Sequence, residues 1–453
     1  MGGRSRIEAI HSFAIEGEGI DGNIGQNFTP DSPVTTWKVT GYTQTVDIDN
    51  KRMRTDQIRT AQFAYAGASP VHETLSVERD VAWNTTEGQA APRLSEMAAR
   101  DRQLELLRHP LTIMRAALDA EAQPSGSREQ GNKQILDIST PEGQVTLAVD
   151  KKTHLPVSVT TVTDQPNMGD VMVETTFSDY QDVAGLKLPT RLTTKMDRWL
   201  LSDIRVARYT LNPNTANAGV PASMKEQAPA PAVPPASVTV ENLARGVWLL
   251  GGSGNHHSVA FEFADHLTLF ELPESEARAE AVIEKAHSLK FGKPLTEVIF
   301  SHHHFDHSAG LRLAVVNGLT IITERANISF FKELLTRKHL IVPDQLTKTL
   351  APQRTQFKPV DDQLVLKDDL MEVDLFHVKD NSHSDTLVMG WLPKEKLLVQ
   401  ADLYDSGWLH QPWGDNLLKN VELRKLSPEK DVPVHGAVQP WGEVVATIRK
   451  AEK

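Results

Sequence analysis

Cysteine is absent from this sequence. That excludes disulfides, thiolate nucleophiles, iron–sulfur clusters and Cys-ligated zinc, so any metal must be held by nitrogen and oxygen. An excess of basic charge is lacking too. The 48 Lys and Arg against 59 Asp and Glu leave −11, the wrong sign for a surface that tracks nucleic-acid phosphates. No apolar run reaches the roughly 18–20 residues of a membrane helix. The expected partner is a small-molecule substrate, with no nucleic acid and no membrane span. The opening Met1-Gly2-Gly3-Arg4-Ser5-Arg6 has no apolar stretch of signal-peptide type. Histidine, in contrast, is plentiful, with 17 residues among 453. In a chain without cysteine, their clustering is where metal chemistry is sought.

Composition divides the chain. Residues 213–237 read PNTANAGVPASMKEQAPAPAVPPAS, a Pro- and Ala-rich stretch without helical or strand period, expected to act as a stiff linker. Residues 1–212 read as a mainly antiparallel β domain with a helical insert. Val171, Val173, Thr175 and Phe177 share one face of an alternating run, and Asp182-Val183-Ala184-Gly185 is a turn. The insert runs from Leu94 to Leu118, broken by Pro110. A sheet curved around a helix can enclose an apolar cavity. The phrases YQDVAGLKLPTRL and RIEAIHSFAIEGEG resemble periplasmic lipoprotein-carrier domains. That resemblance implies a bacterial periplasmic or secreted protein whose signal peptide is absent from this chain, with the cytoplasm as the alternative.

Residues 238–453 alternate strands and helices, so the whole is α+β. Strands are expected at Val247–Leu250, Val259–Phe263, Leu267–Glu271, Glu297–Ser301, Met371–Val378, Thr386–Trp391 and Lys396–Ala401. Helices are expected at Glu274–Leu289, from about Ser308, and near Glu443–Lys450.

The chemistry concentrates in SHHHFDHSAG, residues 301–310. His302 and His304 are two apart at a strand end, so in extended backbone they point the same way. Asp306 and His307 lie on the turn into the next helix and can face a second centre. A solvated histidine run is the bland reading of such a cluster. The pattern His-x-His-x-Asp-His directly after the apolar strand Val298-Ile299-Phe300 makes metal ligation the stronger one.

HHHFDH is similar to the HxHxDH signature of the metallo-β-lactamase fold superfamily. His383 before a strand, Asp402 at a strand end and His435 before Gly436 follow in the family's order. The resemblance implies an αββα sandwich over 238–453 and two zinc ions per chain, with iron or manganese also accepted by such donors. His302, His304 and His383 would hold one ion, Asp306, His307 and His435 the other, and Asp402 would bridge. It further implies a metal-dependent hydrolase in which a metal-bridging hydroxide cleaves an ester, lactone, thioester or amide. Asp306 would orient that hydroxide, and Tyr404 would touch the substrate carbonyl as a tyrosine does in lactonases of this fold.

Departures narrow the class. True metallo-β-lactamases usually have Cys or Ser where Asp402 stands, so β-lactam cleavage is an alternative rather than the first expectation. Flavodiiron proteins replace the second motif histidine by Glu, unlike His304. A mononuclear iron dioxygenase resembling persulfide dioxygenases is a further alternative, and a binding protein with an idle metal domain is a third. His256 and His257 are candidates for a substrate loop that begins at Gly251. Trp408, His410 and Trp413 are candidates for an apolar pocket wall or for packing. His303 is expected to point away from the ligands. Asn27, Asn84 and Asn327 open glycosylation-type tripeptides of the kind that arise mostly by chance.

Overall fold

Strict alternation builds the first half of the chain. In the strand Gly169–Val183, Val171, Val173, Thr175 and Phe177 are buried and the residues between them face outward. The computed structural model describes residues 1–64, 69–86, 89–90, 93–118, 124–231, 236–252, 254–349, 354–408 and 410–451. The chain forms two units. One comprises Met1–Ile24, Val34–Thr163 and Val171–Pro234; the other comprises Gly25–Pro33, Asp164–Asp170 and Pro235–Lys453. Two short stretches from the first half of the sequence thus belong to the second unit, which a boundary drawn along the sequence does not foresee.

The first unit is one thirteen-stranded sheet with edges at Gln89–Ala90 and Pro124–Gln130. Ser12–Asn23 pairs antiparallel with Thr35–Asp47 and with Trp199–Leu211. The helical insert divides into Glu96–Leu107, capped by the Ser95 hydroxyl, and Pro110–Leu118. Pro110 opens the second helix, where its missing N–H costs nothing. Leu106 and Leu111 pack with Phe13, Ile15 and Val46, while Leu104 and Ile113 pack with Ile138, Leu147 and Val159.

One cavity in this unit differs from the apolar kind that a curved sheet can enclose. It measures about 300 Å³, and its lining includes Asp21, Gln57, Arg59, Glu105, Arg108 and His109. Arg59 Nη1 lies 2.9 Å from Glu73, and burial pushes the Asp21 carboxyl up to about 6. Charge inside the curve comes from polar residues on the strand face that turns inward, and it is unsuited to an apolar cargo. The stretch 213–237 also differs from a featureless linker. Ala216–Ala218 and Ala222–Lys225 are helical turns, and Met224 packs on Val81 and Trp83. Residues 232–235 lie outside the described residues.

His109 gives this unit a pH signature. Its ring stacks on Phe13 at 4.3 Å, and burial pushes its pKa down to about 3. An unfolded histidine titrates at about 6.5. Above that pH both states are neutral. Between about 6.5 and 3 only the unfolded chain takes the proton, so stability falls as pH falls, by up to about 1.4 kcal/mol per unit. Urea unfolding at pH 7 and pH 5 should show a larger loss for the wild type than for His109→Gln; equal losses would exclude this linkage.

The second unit carries two sheets. Seven strands, Val238–Ala244, Val247–Gly252, Ser258–Glu262, Leu267–Phe270, Leu295–Ile299, Thr320–Glu324 and Gln356–Val360, lie side by side in chain order. The first four pair antiparallel and the rest parallel. Six more, from Gln363–Lys367 to Gln439–Pro440, form the other sheet. Phe261, Phe270, Ile299 and Ile322 of the first share one buried cluster with Val373, Leu375, Val399 and Val432 of the second. The outer face of the second sheet is covered by Gly414–Leu423 and Trp441–Ala451 through Leu417, Val421, Val444 and Ile448. Glu276–Leu289 buries Ala279, Val282 and Ala286 and, with Asn327–Thr336, packs on the first sheet. These four layers are the αββα sandwich that the resemblance implies. Short strands such as Thr320–Glu324 and Lys430–Pro433 are absent from the sequence reading, because four or five residues carry too little period to stand out. No helix among the described residues is long and apolar enough to cross a membrane.

Candidate metal centre

The signature residues sit where strands stop. Leu295–Ile299 ends just before Ser301, and Phe305–Ser308 is a short helix whose cap is His304. The Ser308 hydroxyl donates to the His304 carbonyl at 2.9 Å, which closes the turn and turns Asp306 and His307 inward. Asp402 follows the strand Leu397–Gln400 with φ 57. Such strained backbone persists only when its surroundings enforce it. Here Gln400 does so: its amide donates to the Tyr404 carbonyl at 2.8 Å and accepts from Leu403 N–H at 3.0 Å. Asn381 Oδ1 accepts the His383 N–H at 2.7 Å, an Asx turn that aims the third histidine.

Among the described residues, two groups of metal-type donors result. His302, His304, His383 and Asp402 form one, and His256, Asp306, His307 and His435 form the other, with donor atoms in each within 4.8 Å of one another. All seven expected ligands are therefore brought together. Asp402 Oδ2 lies 2.9 Å from His383 Nε2, 3.5 Å from His302 Nε2 and 3.1 Å from His307 Nε2. Its Oδ1 is 3.1 Å from His435 Nε2. The carboxylate lies between the groups.

Three observations test whether these residues fit a metal. First, donors held at about 2.0–2.2 Å from one ion stand about 3.0–3.4 Å apart, whether four or more surround it. His307 Nε2 is 3.2 Å from His435 Nε2 and 3.4 Å from Asp306 Oδ2. Second, the nitrogens are split between tasks. His302 Nδ1 meets Ser301 Oγ at 2.8 Å and His304 Nε2 meets the Asn27 carbonyl at 2.8 Å. His302 Nε2 and His304 Nδ1 are left buried without a hydrogen-bond partner, the arrangement of ligating imidazoles with outer-shell support. Third, the electrostatics favour a cation. Burial opposes charge on His307, yet Asp402, Asp306 and Glu271 hold its pKa well above the ordinary value. Burial likewise opposes charge on Asp402, but His307 and His435 hold its carboxyl well below the usual range. Burial pushes His302 and His304 well down, toward the neutral form that ligates. The residues fit.

Several functional positions carried no signal in the sequence. Gln26 Nε2 donates to Asp306 Oδ1 at 2.7 Å, and Asn27 supplies the carbonyl that holds His304. Both lie on Gly25–Pro33, far from the signature in the chain. Gly25 has φ 81, and a Cβ there would stand 2.3 Å from the Phe305 ring, so this close approach requires glycine. Glu271, fully buried with φ 71, accepts the Ser301 N–H at 2.7 Å and faces His307 Nδ1 at 3.4 Å.

Other expectations change. Tyr404 is corrected: its ring packs with Leu417, Val444 and Ile448 on the outer face of the second sheet, and its hydroxyl donates to Gln439 at 2.6 Å. Two residues beyond Asp402 the chain has turned away, so Tyr404 is a core residue. His256 belongs to the second donor group, whereas His257 Nδ1 lies 3.4 Å from the Pro433 carbonyl and belongs to neither. Ser253 of that loop and Leu409 lie outside the described residues. His303 turns away to Thr386 at 3.0 Å. The Trp413 ring lies tilted against His383 with centroids 4.3 Å apart, Trp408 meets Trp413 edge-on at 5.4 Å, and His410 is exposed. Asn27 and Asn327 are buried, which removes them as glycan acceptors.

No family model and no curated protein matches this chain. Solved structures similar to it include the metallo-β-lactamase from Pontibacter korlensis, at 13% identity over 48% of this chain and 100% of that one, with a TM-score of 0.38. The metallo-β-lactamase FIM-1 from Pseudomonas aeruginosa, in its mono-zinc form, is similar at 14% identity over 48% and 96%, TM-score 0.38. The metal-soaked Flv1 flavodiiron core from Synechocystis sp. PCC6803 is similar at 14% identity over 48% and 61%, TM-score 0.38.

Proposed function

We propose that the unit containing Pro235–Lys453 is a metal-dependent hydrolase that cleaves an ester, lactone, thioester or amide bond of a small substrate. The observation that carries this reading is the convergence of the signature residues into two adjoining donor groups with Asp402 between them. Held by these two groups, metal ions would supply Lewis acidity, the chemistry that lowers the pKa of water and polarises an acyl oxygen.

The protein's own residues do the rest. Asp306 is held at Oδ1 by Gln26, which leaves Oδ2 directed at the second group and able to orient water. Buried Trp413 packs against the His383 ring, and Trp408 meets Trp413 edge-on, so these indoles hold the third imidazole of the first group in place. Buried Asp402 and Glu271 offset the positive charge that the site concentrates. A second group with its own full set of donors favours two ions over the single iron of the dioxygenase alternative.

The test is elemental mass spectrometry on tag-free protein, joined to a screen of lactones, esters, thioesters and β-lactams. Two ions per chain and hydrolysis of one of these classes are expected. Chelation should abolish turnover and lower the thermal transition, since ligand at 100 times its Kd stabilises by about 2.7 kcal/mol. One ion per chain with oxygen consumption would overturn the reading.

A further inference from the structure

We propose that His256 is a ligand of the second metal pocket, which makes the two pockets chemically unequal. This inference rests on reading the donor groups as a metal centre. With Asp402 shared, the first pocket presents three imidazoles and one carboxylate. The second presents the imidazoles of His256, His307 and His435 and the carboxylates of Asp306 and Asp402, five protein donors in all.

His256 is placed by its backbone. It forms an isolated antiparallel bridge with His435, and the next residue donates its N–H to the Val434 carbonyl at 2.7 Å. The loop is thus stitched to the segment that carries another ligand. The His256 ring lies 3.9 Å from the His435 ring, and its Nε2 is 3.3 Å from Asp306 Oδ2, a spacing between two donors of one ion.

Its other nitrogen is occupied. His256 Nδ1 faces Glu274 Oε1 at 3.1 Å. A carboxylate that accepts Nδ1–H fixes the tautomer with its lone pair on Nε2 and orients the ring, the usual support of a ligating histidine. Glu274 is itself over-determined. It has φ 68, its N–H donates to the Asp306 carbonyl at 2.7 Å, and Oε1 accepts the Asn255 N–H at 3.3 Å. Gly254 leaves the room: a Cβ there would stand 2.0 Å from that oxygen. One residue thus holds the backbone of one donor and the side chain of another.

The consequence is selectivity. Four donors including a shared carboxylate suit a four-coordinate ion such as zinc. Five donors exceed the tetrahedral number and suit an ion that accepts five or six, such as manganese, iron(II) or cobalt(II). The second pocket is the one that takes such an ion.

The test is stepwise cobalt(II) titration of the metal-free full chain, read by visible absorption and by equilibrium affinity rather than by activity. The wild type should bind two equivalents, one with the strong absorption of four-coordinate cobalt and one with the weak absorption of higher coordination. His256→Ala, with His256→Asn as a second variant should the first misfold, should lose at least about 100-fold in affinity for the weakly absorbing equivalent only. Glu274→Gln should lose about 10-fold there. Two equivalents bound by both His256 variants with wild-type affinities and spectra would overturn the proposal and leave the metal centre standing. Absence of any cobalt binding by the wild type would overturn the metal-centre reading and this proposal with it.

Discussion

Asp402→Asn should reduce the metal content of the proposed two-ion centre to one ion or none and lower turnover at least about 10³-fold, equivalent to roughly 4 kcal/mol of barrier. The reason is geometric. The carboxylate is buried and lies within 3.5 Å of nitrogens from both donor groups, His302 and His383 on one side and His307 and His435 on the other. An amide keeps the shape and removes the charge, so four crowded imidazoles lose the anion that reconciles a cation with their burial. Metal analysis and single-turnover kinetics read the two effects separately. A variant that kept two ions and wild-type turnover would remove Asp402 from the centre.

Glu271→Ala should be strongly destabilising to the second unit. The side chain is fully buried, one oxygen accepts the Ser301 N–H and the other faces His307. Truncation leaves a buried donor unsatisfied, empties the volume of a carboxyl group and removes one of the anions beside His307. The expected cost is about 3–5 kcal/mol, a fall of roughly 10 °C in the thermal transition of a unit this size. Glu271→Gln retains an acceptor for Ser301 and should cost less than half as much, while still weakening metal binding through His307. Equal melting temperatures for Glu271→Ala and the wild type would show that the carboxyl carries no structural role.

The candidate metal ligands were legible because each is marked locally. HHHFDH announces itself by composition, and His383, Asp402 and His435 each stand at a boundary of an apolar run where strand gives way to loop. The supporting residues carry no such mark. Gln26 is one glutamine among ordinary polar residues, yet it reaches a carboxylate 280 positions away. Asn27 acts through its carbonyl, which every residue has. Glu271 and Glu274 look like acidic residues flanking a helix start, and only their left-handed backbone, one bonded to Ile299 and the other to Asp306, turns them toward histidines. Tyr404 misled in the opposite sense. Its distance along the chain from Asp402 suggests the site, but the turn held by Gln400 sends it into the core.

The sequence by itself determined that this protein has no thiolate ligand, a mainly antiparallel β first half, a second half of alternating strands and helices, and seven nitrogen and oxygen donors near strand ends; the αββα arrangement entered only through the resemblance. Period and spacing are local properties, and local properties survive in one dimension. Only the tertiary structure decided that Gly25–Pro33 belongs beside the motif, that His256 joins the second donor group, and that one cavity of the first unit is lined by charge. Those outcomes depend on which distant segments pack together, and contacts of that kind are chosen by burial and hydrogen bonding across the fold rather than by neighbours along the chain.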